Sequence, residues 1–168
     1  LDGILVALKL RRPVFFLTRS DVFKGRWIVK IFKLLNLVPI FRRQDGTGDI
    51  TIKNRETFKY CIQELEKRKP VLIFPEGERS LDGEIKKAEA GVGLVIAKAK
   101  APVLPVRIFG AYEALPRESK FPKFFTQITV CVGEMIQFTD EQLAVKSRES
   151  YQEISDKVIE SIGDIKNI

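Results

Sequence analysis

Short, unbroken apolar runs alternate along this chain with longer segments in which apolar residues return every three or four positions. The short runs are Val14-Phe15-Phe16-Leu17, Leu37-Val38-Pro39-Ile40-Phe41, Val71-Leu72-Ile73-Phe74 and Pro102-Val103-Leu104-Pro105-Val106-Arg107-Ile108. Runs of this kind read as strands buried on both faces, as in a parallel sheet. Helical spacing covers Leu1 to Leu10, about Val22 to Leu35, a stretch closing near Arg68, and Ala90 to Ala99. Gln127 to Val132 alternates and reads as a last strand, extending to Gly133. Thr139 caps a short helix, and Ser147 to Ile165 forms the final one, with Tyr151, Ile154, Val158, Ile162 and Ile165 as its apolar stripe. Strands alternating with helices predict an α/β fold, a mostly parallel central sheet flanked by helices on both faces, in a single domain spanning 1–168.

Local chemistry sets the boundaries. Pro13 ends the first helix, because the residue before proline avoids helical angles. Pro39 puts its strand at an edge or irregular position. The polar stretch Gln44 to Asp49 is a loop, Leu81-Asp82-Gly83 a turn, and Phe109 to Pro122 a loop. Lys67-Arg68-Lys69-Pro70 closes a helix with the basic residues that suit its negative end. The small residues of Ala90 to Ala99 let that helix pack close to the sheet.

Charge narrows the choice of partner. The net charge is +7, which favours anionic partners: nucleic acid, an anionic membrane face or a phosphorylated small molecule. The two cysteines, Cys61 and Cys131, are far apart and form no metal-binding pair, so both read as core residues and no metal is expected. No apolar run reaches the roughly 18 residues needed to span a bilayer. Histidine is absent, and the chain opens on Leu1 rather than methionine, which suggests a piece of a longer protein.

Candidate chemistry gathers where the third apolar run ends. In Phe74-Pro75-Glu76-Gly77-Glu78-Arg79-Ser80 a proline stops the strand, a glycine frees the backbone, and two carboxylates, an arginine and a hydroxyl follow. Open α/β sheets bind ligands at the carboxyl ends of their strands. Arg42 and Arg43 follow another strand, and guanidinium forks suit a phosphate. Lys86 and Lys87 read as solvent-facing charges. Two stretches suit either an anionic membrane surface or plain packing: the helix bearing Arg26, Lys30 and Lys33, equally a surface helix with one buried face, and the loop Lys120-Phe121-Pro122-Lys123-Phe124-Phe125, whose phenylalanines equally suit closing the core.

The Phe74 to Ser80 block resembles the F-P-E-G-[TE]-R-S motif of the glycerophospholipid acyltransferases, the 1-acyl-sn-glycerol-3-phosphate acyltransferase group. Asp2 is similar to the aspartate of that family's H-x-x-x-x-D motif, Pro39 and Arg42 to its second motif, and Leu104-Pro105-Val106 to its V-P-[IV] motif. The resemblance implies acyl transfer from an acyl-coenzyme A or acyl-carrier-protein thioester to a glycerol hydroxyl of lysophosphatidate or a related acceptor. No cofactor is implied beyond that co-substrate. It implies catalytic roles for Asp2 and Glu76, and substrate binding by Arg42, Arg43, Gly77, Arg79, Ser80 and Pro105, the last on the acyl-donor side. It also implies association with the cytoplasmic face of a membrane. The motif histidine would fall four positions before Leu1, so the domain is expected to lack its N-terminal segment. Glu78 stands where threonine is common, and Glu89 where a lysine is often found. A catalytically silent lipid-binding homologue is an alternative. A nucleic-acid-binding module fits the charge, but no nucleic acid is expected, because that reading leaves the Phe74 to Ser80 block without a role.

Overall fold

The computed structural model of the chain describes residues 2–10, 14–19, 36–40, 50–78, 80, 82–116, 119, 123, 125–144 and 146–167. In chain order the elements are α1 (Asp2–Leu10), β1 (Phe15–Arg19), β2 (Leu37–Ile40), α2 (Ile50–Glu66), β3 (Val71–Leu72), α3 (Ala90–Ala99), β4 (Val106–Phe109), α4 (Ala111–Ala114), β5 (Thr129–Val132), α5 (Asp140–Ala144) and α6 (Arg148–Gly163). They form two compact units: Arg11–Ile73, and Leu1–Leu10 with Phe74–Ile168. The basic helix expected over Val22 to Leu35 and the loop Gln44 to Asp49 lie outside the described residues.

Among the described residues of the Arg11–Ile73 unit three parallel strands run in the order β2-β1-β3. Leu17 pairs with Val38 and Phe16 with Leu72. Pro39 sits in the outer strand β2, where a missing N–H costs least. Its carbonyl accepts the Thr57 hydroxyl of α2 at 2.8 Å, which ties helix to sheet. The four-residue strand expected at Val71 pairs only through Val71 and Leu72. Phe74 is 40% exposed, and its carbonyl accepts the Gly77 N–H at 3.1 Å, so the chain has already turned out of the ladder.

Val14, Val38 and Cys61 are the buried apolar residues described in this unit. Burial pushes the Cys61 thiol up to about 12, leaving it in its unreactive form at neutral pH. The basic residues expected to close α2 follow its last turn, and two of them act on a side chain. Lys67 and Lys69 place their ammonium groups 2.7 and 2.8 Å from the carboxylate of Glu64, which is itself buried. Hydrogen bonds from the two lysines hold that carboxyl below the usual range.

In the second unit α3 packs on α6. Val92, Val95, Ile96 and Ala97 of α3 and Ile154 and Val158 of α6 are all buried. Burying a large aliphatic side chain contributes about 1.5–3 kcal/mol, so this seam is a principal source of the unit's stability. The small residues of α3 do permit a close approach, but the close partner is α6. A Cβ on Gly93 would lie 1.9 Å from the Tyr151 carbonyl oxygen, so the two helix backbones touch there. Ser147 caps α6 through a reciprocal pair with Ser150. The Thr139 and Gln142 side chains do the same for α5.

β4 and β5 pair antiparallel, Arg107 opposite Cys131. The strand expected from Pro102 begins only at Val106: Pro105 cannot donate to a ladder, and Val103 makes an isolated bridge to Ile136. The Arg107 guanidinium donates to the Gly163 and Ile165 carbonyls at 2.7 and 3.0 Å, which fastens the end of α6 to β4. The expected Phe109 to Pro122 loop contains the short helix α4. α1 packs against β5 with Val6 almost fully buried.

Candidate active site

The stretch from Phe74 to Glu89 is built from turn chemistry. Pro75 occupies the second position and Gly77 the fourth of a turn closed by the Gly77 N–H on the Phe74 carbonyl, an arrangement that suits both residues. Gly77 has φ +68, a left-handed angle that a side chain disfavours. A Cβ there would also stand 3.3 Å from the Glu89 Cγ. Pro75 is buried, and its carbonyl accepts the Glu89 N–H at 2.8 Å. The beginning of the loop is thus pinned to the start of α3.

A second turn brings the chain back. The Ser80 Oγ accepts the Gly83 N–H at 2.8 Å and lies 3.0 Å from both Asp82 Oδ1 and the Glu84 carbonyl, to one of which it donates. Asp82 Oδ1 accepts the Glu84 N–H at 3.1 Å. Donors from Glu84 and Ser80 hold the Asp82 carboxyl below its usual range. With the chain reversed, the Lys86 N–H donates to Glu76 Oε2 at 3.0 Å, and the Lys86 ammonium sits 2.8 Å from Glu78 Oε1.

Glu76 is the unusual group. It is half-buried, and burial pushes its carboxyl above the ordinary glutamate range. The Lys86 N–H and charge offset part of that rise, and repulsion from Glu78 and Asp82 adds smaller upward pushes. Such a carboxyl can accept a hydrogen bond from a substrate hydroxyl when ionised, and donate one when protonated. Perturbed carboxyls of this kind concentrate at functional sites.

Of the residues singled out from sequence, Glu76, Gly77 and Ser80 share this loop. Asp2 is the first residue of α1. Pro105 is fully buried on the approach to β4, with its carbonyl accepting the Gly133 N–H at 2.9 Å. Arg42, Arg43 and Arg79 lie outside the described residues, as do Lys120, Phe121, Pro122 and Phe124. Lys123 and Phe125 are exposed, and Phe125 has φ 70. Lys86 reads from sequence as a solvent-facing charge, yet it grips both glutamates of the motif. The Asp82-Gly83 turn was the available signal for that return. Among the described residues no group of side chains could hold a metal ion, and no helix is long and apolar enough to cross a membrane.

Comparison with known proteins gives a consistent picture. The family model described as Acyltransferase matches residues 1–109. A 1-acyl-sn-glycerol-3-phosphate acyltransferase of Chlamydomonas reinhardtii is 33% identical over 134 residues, covering 76% of this chain and 36% of that protein. A chloroplastic 1-acyl-sn-glycerol-3-phosphate acyltransferase of Brassica napus is 26% identical over 117 residues, covering 70% and 32%. The chain therefore spans about a third of the length of these relatives. The crystal structure of the 1-acyl-sn-glycerophosphate acyltransferase PlsC from Thermotoga maritima superposes with a TM-score of 0.63 at 20% identity, covering 98% of this chain and 63% of that one, and so shares its mixed α/β fold.

Proposed function

This chain belongs to the acyltransferase family, and on that premise we propose that it works in acyl transfer from a thioester, of coenzyme A or acyl-carrier protein, to a glycerol hydroxyl of lysophosphatidate or a related glycerophosphate at a membrane surface. In that reaction the hydroxyl oxygen bonds to the thioester carbonyl carbon, the carbon–sulfur bond breaks, and the hydroxyl proton ends on the departing thiol. The sequence contains no histidine, and no residue in it is assigned the proton-accepting step. The part of this chain is to hold and orient the acceptor. Glu76 orders the glycerol hydroxyls, Gly77 lets the backbone approach, and Ser80 keeps the loop in shape. Arg79, Arg42 and Arg43 take the phosphate, Asp2 belongs to the catalytic pair, and Pro105 lies on the donor side. All of them act within one catalytic domain, 1–168.

The observation that carries this reading is the half-buried Glu76, held from behind by the Lys86 N–H in a loop of family sequence. Holding a carboxylate in place before the acceptor arrives lowers the entropy lost on reaching the reactive geometry. The exposed pair Lys123 and Phe125 supports contact with an anionic membrane face, an ammonium for the headgroups and a ring for the interface. Incubating the intact protein with lysophosphatidate and a radiolabelled acyl thioester tests the proposal. Labelled phosphatidate is the expected product. Saturable acceptor binding without product would contradict acyl transfer and leave a lipid-binding role.

A further inference from the structure

The loop bearing Glu76 is anchored, through the segment Lys86–Gly93, to a helix that lies beyond the matched residues 1–109. Two side chains on one face of α6 reach that segment. The Gln152 Nε2 donates to the Ala88 carbonyl at 2.8 Å and to Asp156 Oδ1 at 2.7 Å. The Ser155 Oγ, fully buried, accepts the Gly93 N–H at 2.8 Å and lies 3.1 and 2.9 Å from the carbonyls of Glu89 and Tyr151, to one of which it donates.

The Glu89 carbonyl accepts the Val92 N–H at 3.1 Å, and the Ser155 Oγ meets the Gly93 N–H in the same first turn of α3. α6 therefore holds Ala88 and Gly93, the residues on either side of the start of α3. From the same segment the Glu89 N–H reaches the Pro75 carbonyl at 2.8 Å and the Lys86 N–H reaches Glu76 at 3.0 Å. Every link is a hydrogen bond of good length, and the inner ones are sheltered from water, where such bonds hold geometry best.

We infer that Gln152 and Ser155 of α6 are positioning residues for the Glu76 loop, acting through the segment Lys86–Gly93. The inference rests on the reading of Glu76 as an acceptor-orienting group only for its kinetic consequence; the mechanical link stands without it.

The test uses Gln152→Ala in the intact protein, because Gln152 is only partly buried and its loss leaves the α3–α6 seam filled. Amide hydrogen exchange at Lys86 and Glu89 is expected to quicken about tenfold, with exchange in α6 unchanged. The KM for lysophosphatidate should rise about three- to tenfold while the KM for the acyl donor stays put. Gln152→Lys, which keeps a donor toward the Ala88 carbonyl, should restore both, and Ser155→Ala should repeat the exchange effect at Glu89. Unchanged exchange at Lys86 and Glu89 in Gln152→Ala would overturn the inference, as would equal losses in Gln152→Ala and Gln152→Lys. Glu76→Gln is the reference. If it leaves the acceptor KM unaltered, the assignment of Glu76 to the acceptor fails, and the exchange rates alone decide the inference.

Discussion

Glu76 accepts the backbone N–H of Lys86 across a return of ten residues, and the Lys86 side chain pairs with Glu78 two positions further on. One lysine thereby serves both carboxylates of the motif, one through its main chain and one through its ammonium. The main-chain bond survives substitution of Lys86, and the ammonium does not, so the two contributions can be separated.

Replacing Lys86 by alanine removes the ion pair and leaves the amide. Both partners are partly exposed, with Glu78 41% accessible, so the stability loss should be only about 0–1 kcal/mol. The charge of Lys86 lowers the Glu76 pKa. Carbon-13 titration should therefore find the Glu76 carboxyl moved further up in Lys86→Ala. A downward movement would show that Lys86 does not act on Glu76 electrostatically.

Glu76 itself works against stability at neutral pH. Its folded pKa is raised above the ordinary 4.5, so the folded state binds the proton more tightly than the unfolded chain. The stability linked to that proton is complete below about pH 4.5 and is lost as pH rises through the folded pKa. Glu76→Gln keeps an acceptor for the Lys86 N–H and never ionises. Thermal unfolding at pH 8 should place this variant at or above the parent, and at pH 4 the gap should close. A variant markedly less stable at pH 8 would mean that the carboxylate stabilises the fold.

Gly93→Ala separates helix propensity from packing. In an exposed helix the change would stabilise by up to about 1 kcal/mol. Here the new methyl would fall 1.9 Å from a backbone oxygen of α6, so the helices must part. Urea unfolding should show a loss of about 1–3 kcal/mol. A gain would show that the α3–α6 approach is looser than described.

Lys123→Glu with Phe125→Ser tests the membrane face. Both side chains are exposed, so folding should be unaffected. Co-sedimentation with liposomes rich in phosphatidylserine should fall several-fold, more at low salt than at high. Unchanged sedimentation would remove this loop from the interface.

The fold was legible in sequence wherever a local rule governed it. The stripe from Tyr151 to Ile165 announced α6, Pro39 an edge or irregular strand, and the small residues of α3 a close neighbour. The neighbour itself was not legible, since Gly93 looks the same beside a sheet or a helix. The helix α4 escaped notice because a four-residue helix is too short to show a period. Of the site, the proline and glycine around Glu76 were readable, because both act on their own backbone. The roles of Lys86, Gln152 and Ser155 were not. They depend on where a returning chain and a distant helix come to rest, and nothing in local composition records that.

The most direct measurement is steady-state acyl transfer to lysophosphatidate by the intact protein carrying Glu76→Gln, with radiolabelled donor and with unfolding measured on the same sample. If Glu76 orders the acceptor, kcat/KM for lysophosphatidate should fall about a hundredfold or more while the folded fraction and the donor KM hold. Turnover near that of the parent would contradict the account.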